Sequence, residues 1–234
     1  MTTVYWTPTT TQSKEGEELF EADILFGEPK SLAKEIATAY KDHVFLQCPA
    51  TQAFYRNTFV ITAPMSGVID IGENKDGSAS ITLTGYGWDQ TYYEAFSHIR
   101  EDKTVGLPPT YLFYAKESLE MEVLPVFLLN SPSIENTHLL PASFDIGKWI
   151  RPVDFSFVPK DYRKPITITR GDPLYFVRFK CQDRVELERV AFSKDVQHMV
   201  NSCVSVKKRL KSITLPVLYD MAKSRIDLFF RSNR

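Results

Sequence analysis

The spacing of apolar side chains changes twice along this chain. In "PKSLAKEIATAYKD", Leu32, Ile36 and Tyr40 fall four apart on one face, and Pro29 suits a helix start, so the spacing predicts a first helix. The run "VFLQCPA" reads as a short apolar strand stopped by Pro49, with helical or irregular chain over Thr51 to Arg56. From Asn57 to Val190 the period becomes two, the signature of strands with one face toward a core. "NTFVITAP", "GVIDIGEN" and "SASITLTG" are three such runs, separated by turn signals at Pro64 to Gly67 and at Asn74 to Gly77. "GYGWDQTYYEAFSHIRED" reads as a loop leading into a short helix.

Strand character returns in "TYLFYA" and in "SLEMEVLPVFLLN", where Leu119, Met121 and Val123 face one way and Glu120 and Glu122 the other. Residues 130–143 read as a loop. "IGKWIRPVDFSFVP" alternates at Val153, Phe155 and Phe157, and "DRVELERVAF" alternates Val185 and Leu187 with Glu186 and Glu188. The tail goes back to helical spacing, with Met199, Cys203, Val206 and Leu210 in one segment and Leu218, Met221, Ala222 and Phe229 in another. The pattern predicts a mainly β chain: an antiparallel β-sandwich or jelly-roll-like body with a short N-terminal helix and two C-terminal helices. The body is expected over residues 1–192 and a helical appendage over 193–234.

The segment "ITITRGDPLYFVRFK" contains Arg170-Gly171-Asp172, which reads either as an adhesion tripeptide or as a turn. Ile166 and Ile168 alternate with Thr167 and Thr169, and large apolar residues resume after Pro173. Gly171 supplies backbone freedom for a reversal, and Pro173, lacking an N–H, suits the first position of a strand. A turn is expected, joining a hairpin or a corner between sheets.

Composition narrows the chemistry. The 234 residues are 43% hydrophobic, enough for a core, and a net charge of -1 provides no global field for nucleic acid or an anionic membrane. The three cysteines are widely spaced without a C-x-x-C pair, which suits a reducing cytoplasm more than a disulfide framework or a zinc site. No signal-type leader and no apolar run near the roughly 20 residues of a membrane span is visible, so a soluble, intracellular protein is expected. A jelly-roll body invites a metal, but none of His43, His98, His138 and His198 begins a His-x-Asp/Glu motif; His98 and Glu101, three apart, are spaced to share a helix face, but one pair is not a site. Cys48 is expected as a buried structural thiol. No glycine-rich phosphate loop or nucleophile elbow is present, and no cofactor is implied.

Two constellations remain. The C-terminal segment is basic, and Lys207, Lys208, Arg209, Lys211, Arg225 and Arg231 with Phe229 and Phe230 form a candidate partner-binding surface. Arg151, Arg170 and Arg178 with Tyr175 form a candidate pocket for a small anion.

The stretches "VYWTP", "EPKSL", "FLQCPATQAFYRNTFVITAP", "DIGKWIRPVDFSF" and "ITRGDPLYFVRFK" together resemble a family of uncharacterised proteins encoded by marine tailed phages, especially large contractile-tailed phages of cyanobacteria. The resemblance runs to about Phe192 and brings no catalytic residue with it. It implies a context, the host cytoplasm during infection or the virion itself. The leading expectation is a non-enzymatic phage protein that works through protein–protein contacts with itself or with another virion or host protein, as a minor virion component. An enzyme or small-anion-binding protein on a cupin-like scaffold, and nucleic-acid binding through the basic C-terminal helices, stay open as alternatives. No membrane partner is expected.

Overall fold

A computed structural model describes the backbone of residues 1–9, 27–41, 43–85, 87–209 and 217, with all their side chains except those of Trp88 and residues 202–209. Among the described residues the protein is mainly β, 41% strand against 21% helix. In chain order the strands are β1 (Thr2–Pro8), β2 (Lys30–Ser31), β3 (Thr58–Thr62), β4 (Gly67–Glu73), β5 (Ala79–Thr84), β6 (His98–Ile99) and β7 (Val105–Tyr114). They continue as β8 (Glu120–Leu124), β9 (Thr137–Leu139), β10 (Ala142–Asp145), β11 (Pro152–Pro159), β12 (Ile166–Ile168), β13 (Pro173–Phe179) and β14 (Val185–Arg189). The helices are α1 (Leu32–Ala39), α2 (Pro49–Tyr55), α3 (Trp88–Phe96) and α4 (Lys194–Arg209).

Three sheets result. The first runs β14–β1–β7–β11–β9 with β6 also on β7, the second β10–β8–β13–β3–β2, and the third β12–β4–β5. Among the described residues pairing is antiparallel except between β1 and β14, which run parallel with Thr2 opposite Val185 and Trp6 opposite Arg189. The two larger sheets share one core. Trp6, Leu107, Phe113 and Phe155 of the first meet Ile61, Met121, Tyr175 and Phe179 of the second.

Alternate residues of the same strands are buried on the opposite faces. Leu112 and Tyr114 of β7 pack with Val196, Met199 and Val200 of α4. Phe176 of β13 and Val60 of β3 pack with Leu32 and Ile36 of α1 and Tyr55 of α2. That double burial explains why "TYLFYA" and "PLYFVRF" read as near-continuous apolar runs. It also places α4 in a core shared with the body, across the boundary expected at residues 192/193.

β7 carries Pro108 and Pro109 although it lies between two partners. On one side β1 pairs residues 111–114 and β6 pairs 105–106; on the other, the β11 register shifts between Val153 and Phe155. The prolines therefore fall where the ladder is already interrupted, and their missing N–H groups cost no strand pairing.

The expected turns are present. In the β4–β5 hairpin Asn74 N–H donates to Ser78 O at 2.8 Å, and Gly77 takes φ +83°. The Arg170-Gly171-Asp172 turn is a corner: β12 lies in the third sheet and β13 in the second. Gly171 has φ +89°, its N–H donates to Ala63 O at 2.8 Å, and Asp172 N–H closes the turn on Thr169 O at 3.1 Å. Ser133 Oγ donates to the Asp172 carboxylate at 2.7 Å, which ties that side chain to the body as a turn requires and an offered adhesion loop does not.

Other expectations change. Val4 to Trp6, legible only as a short apolar patch, belong to a strand in the interior of the first sheet. Val44–Gln47 forms a 3-10 turn and not a strand, because Leu46 N–H finds His43 O, Cys48 N–H finds Phe45 O, and Pro49 then opens α2. Residues 130–143 hold a second 3-10 turn (Pro132–Ile134), β9 and the start of β10; strands of three and four residues are too short to display alternation. Of the segment expected to form the second C-terminal helix, all but Val217 lies outside the described residues.

Phe176 is fully buried with its ring 4.9 Å from that of Phe127. Phe176→Ala is expected to cost about 4 kcal/mol, read as an earlier midpoint in urea unfolding with the slope unchanged.

Candidate functional site

Edge strands β9 and β10 follow each other in the chain but close different sheets, so the connection between them crosses from one sheet to the other. Beside it opens a cleft of about 340 Å³, lined by Arg100 after β6, Leu140 to Phe144 around β10, and Trp149, Arg151 to Asp154 and Ser156 leading into and along β11. The alternation of β11 drives Phe155 and Phe157 into the core and leaves Asp154 and Ser156 half-buried on the other side, facing the cleft.

These polar groups form a chain. Ser156 Oγ donates to Asp154 Oδ1 at 2.6 Å, and His98 Nε2 lies 3.5 Å from Asp154 Oδ2. Gly106, opposite both His98 and Ser156 in the sheet, makes this possible: a Cβ there would sit 2.2 Å from His98 Cε1 and 2.7 Å from Asp154 Oδ2. The hydroxyl is bonded to the carboxylate and not to the imidazole, so the arrangement orients three polar groups without pairing a nucleophile with its base. Arg100 and Arg151 are exposed on the lining, and neither makes a salt bridge among the described residues. A guanidinium pair beside Leu140, Pro141 and Ala142 can hold a carboxylate or phosphate through forked hydrogen bonds while an apolar neighbour rests against the wall.

The β10 wall is fixed by Asp145. Ser118 Oγ donates to its Oδ2 at 2.5 Å, and the N–H groups of Leu119 and Gly147 donate to its Oδ1 at 3.0 and 2.9 Å. Burial opposes ionisation, but these hydrogen bonds, helped by Lys148, outweigh it and hold the Asp145 carboxyl below the usual carboxylate range. On the same strand Ser143 Oγ donates to Glu120 at 2.5 Å, and Lys180 bridges Glu120 and Glu122 at 3.0 and 2.9 Å.

The four residues expected to form one anion pocket are dispersed. Arg151 lines the cleft. Arg170 is exposed on the β12–β13 corner, its N–H donating to Ser66 Oγ at 3.0 Å. Arg178 pairs with Glu122 at 3.4 Å and lies 4.0 Å over the Phe54 ring, on the helix-covered side of the second sheet. Tyr175, an odd number of positions away on β13, points into the core with its ring parallel to Phe155 at 6.3 Å. Strand alternation separates Tyr175 from Arg178, which their closeness in sequence concealed.

Of the candidate partner surface, Lys207, Lys208 and Arg209 fall in the last turn of α4 with side chains not described, and Lys211, Arg225, Phe229, Phe230 and Arg231 lie outside the described residues. His98 is on a strand, so it shares no helix face with Glu101. Cys48 is exposed, not buried, because it is the residue that caps α2 at the surface. Hydrogen bonds from Thr51 and Ala50 hold its thiol below the ordinary value. Among the described residues no group of three or more His, Cys, Asp or Glu is arranged to hold a metal, and no helix is long and apolar enough to cross a membrane. Sequence reasoning missed Arg100, Asp154 and Ser156. The alternation of "DFSF" was the available signal, since it places Asp154 and Ser156 on one face.

No protein-family model matches this chain, and no curated protein and no solved structure matches it either.

Two outcomes are expected. The folded-state pKa of Asp145 lies below its unfolded value, so its stabilising contribution is complete above the ordinary aspartate value of about 3.9 and is lost as pH falls through the folded value. The melting temperature of the native protein should therefore drop more steeply below about pH 4 than that of Asp145→Asn. The Tyr175 hydroxyl is buried with no hydrogen-bond partner among the described residues. Tyr175→Phe should leave stability unchanged or raise it by up to about 1 kcal/mol in thermal unfolding.

Proposed function

We propose that this chain is a non-enzymatic binding protein that works through protein–protein contacts on a jelly-roll-like β-sandwich, and that the cleft beside β10 receives an acidic segment of its partner. The observation that carries this reading is the pairing of Arg100 and Arg151, neither in a salt bridge among the described residues, with the exposed apolar residues Leu140, Pro141 and Ala142 on one cleft. Arginine beside apolar surface is the composition of contact surfaces, and guanidinium attracts carboxylate. β10 is also the outer strand of its sheet, so an extended segment can lie along it.

The sandwich reading draws on the core shared by the two larger sheets and on neighbours that are distant in sequence, with the parallel β1–β14 pair as its departure from an all-antiparallel jelly roll. The resemblance to tailed-phage proteins supplies the setting, a minor virion component or a protein acting in the host cytoplasm. Mass spectrometry of purified particles decides the virion form, and consistent absence removes it.

A second reading, capture of a small free anion, is favoured by the same guanidinium pair. Titration calorimetry with a short polyglutamate peptide and with citrate separates the two. The partner reading expects saturable peptide binding that weakens with added salt and falls ten-fold or more in the Arg100→Ala/Arg151→Ala double variant, with citrate much weaker. Tight citrate binding with no peptide binding supports the small-anion reading instead; equal peptide binding by the double variant ends both.

A further inference from the structure

A second cleft, on a different part of the surface, is more strongly charged. It measures about 480 Å³ and collects Lys34 from the first turn of α1, Arg56 from just after α2, and Arg184 from just before β14. These segments are far apart in sequence and are brought together by the fold. All three side chains are exposed, and none makes a salt bridge among the described residues. Among the described residues the lining holds one carboxylate, Glu186, and the terminal ammonium of Met1, which pairs with Asp183 at 3.0 Å, so the three side-chain cations without a salt bridge against one anion leave a surplus of two positive charges.

Like charges around one concavity repel each other, and an anion between them relieves the repulsion. Ser31 adds a hydroxyl that makes no capping hydrogen bond to α1, while Phe59 and Leu187 supply an apolar wall. A surplus of two matches a phosphate monoester, which carries close to two negative charges at neutral pH. Arginine forks fit its oxygens, and the volume leaves room for an organic body against Phe59 and Leu187. We propose that this cleft binds a phosphate-bearing small molecule, with Lys34, Arg56 and Arg184 holding the phosphate and Phe59 and Leu187 accommodating the body. The assignment is independent of the cleft beside β10.

Titration calorimetry with phenyl phosphate, inorganic phosphate and a short single-stranded oligodeoxynucleotide tests it on the full chain. Saturable binding of phenyl phosphate, tighter than that of inorganic phosphate, is expected. Arg56→Ala and Arg184→Ala should each weaken it ten-fold or more and Glu186→Gln should tighten it two- to five-fold, and the same changes are expected in the Arg100→Ala/Arg151→Ala background, where the first cleft contributes no phosphate binding. Because a substitution that unfolds the chain also abolishes binding, the Glu186→Gln gain and an unchanged melting temperature in the alanine variants are read alongside. Absence of saturable binding by both phosphates, or binding unaffected in Arg56→Ala and Arg184→Ala, overturns the proposal. Preference for the oligonucleotide over phenyl phosphate also overturns it, in favour of a nucleic-acid backbone as the occupant.

Discussion

The structure depends on strands β7 and β13 being buried on both faces. Each contributes one set of alternate side chains to the core between the two larger sheets and the other set to a cluster under helices: Leu112 and Tyr114 under α4, Phe176 under α1 and α2. A strand in this position is mostly apolar, because a polar side chain on a covered face must find a partner, as Arg178 of β13 does in Glu122 at 3.4 Å. Chemistry on these sheets is accordingly displaced to their edges and to the connections that cross between them.

Both clefts are found in such places. The first lies where β10 closes one sheet and β11 stands next to the outermost strand of the other, so one connection and two strand faces supply its groups. The second lies near the opposite edges, where β2 and β14 are the outer strands and α1 begins. Short or charged edge strands suit this arrangement. β2, β9 and β10 have two, three and four residues, and β14 exposes Glu186, Glu188 and Arg189, which discourages indiscriminate strand pairing.

Positioning within the first cleft rests on single-atom tolerances. Gly106 leaves the space that His98 and Asp154 fill, and Asp145 gathers a hydroxyl and two N–H groups to hold the β10 wall against the chain entering β8. Neither residue touches a ligand in the proposed roles; both set where the ligand-facing groups stand.

Period-two alternation was readable over β4, β5, β8, β11 and β14 because each has one face to the core and several residues to show it, and over β3 as a β-branched run between turn signals. The β4–β5 hairpin and the Arg170-Gly171-Asp172 corner were readable because glycine and proline mark backbone conformations locally. Val4 to Trp6 gave no such mark: β1 gains its place from β14 and β7, partners some 180 and 110 positions away in the numbering, and pairing at that range leaves no trace in a local window. The same limit scattered the expected anion set and hid the real clusters. Tyr175 and Arg178 are near in sequence but on opposite faces of one strand, whereas Lys34, Arg56 and Arg184 are far apart and share a cleft. Local sequence determined the longer alternating strands and the glycine-marked turns, since those follow from side-chain period and backbone freedom. Which sheets the strands joined, and which charges converged, was decided only by tertiary pairing, because hydrogen-bonded edges and packed faces select partners regardless of their distance along the chain.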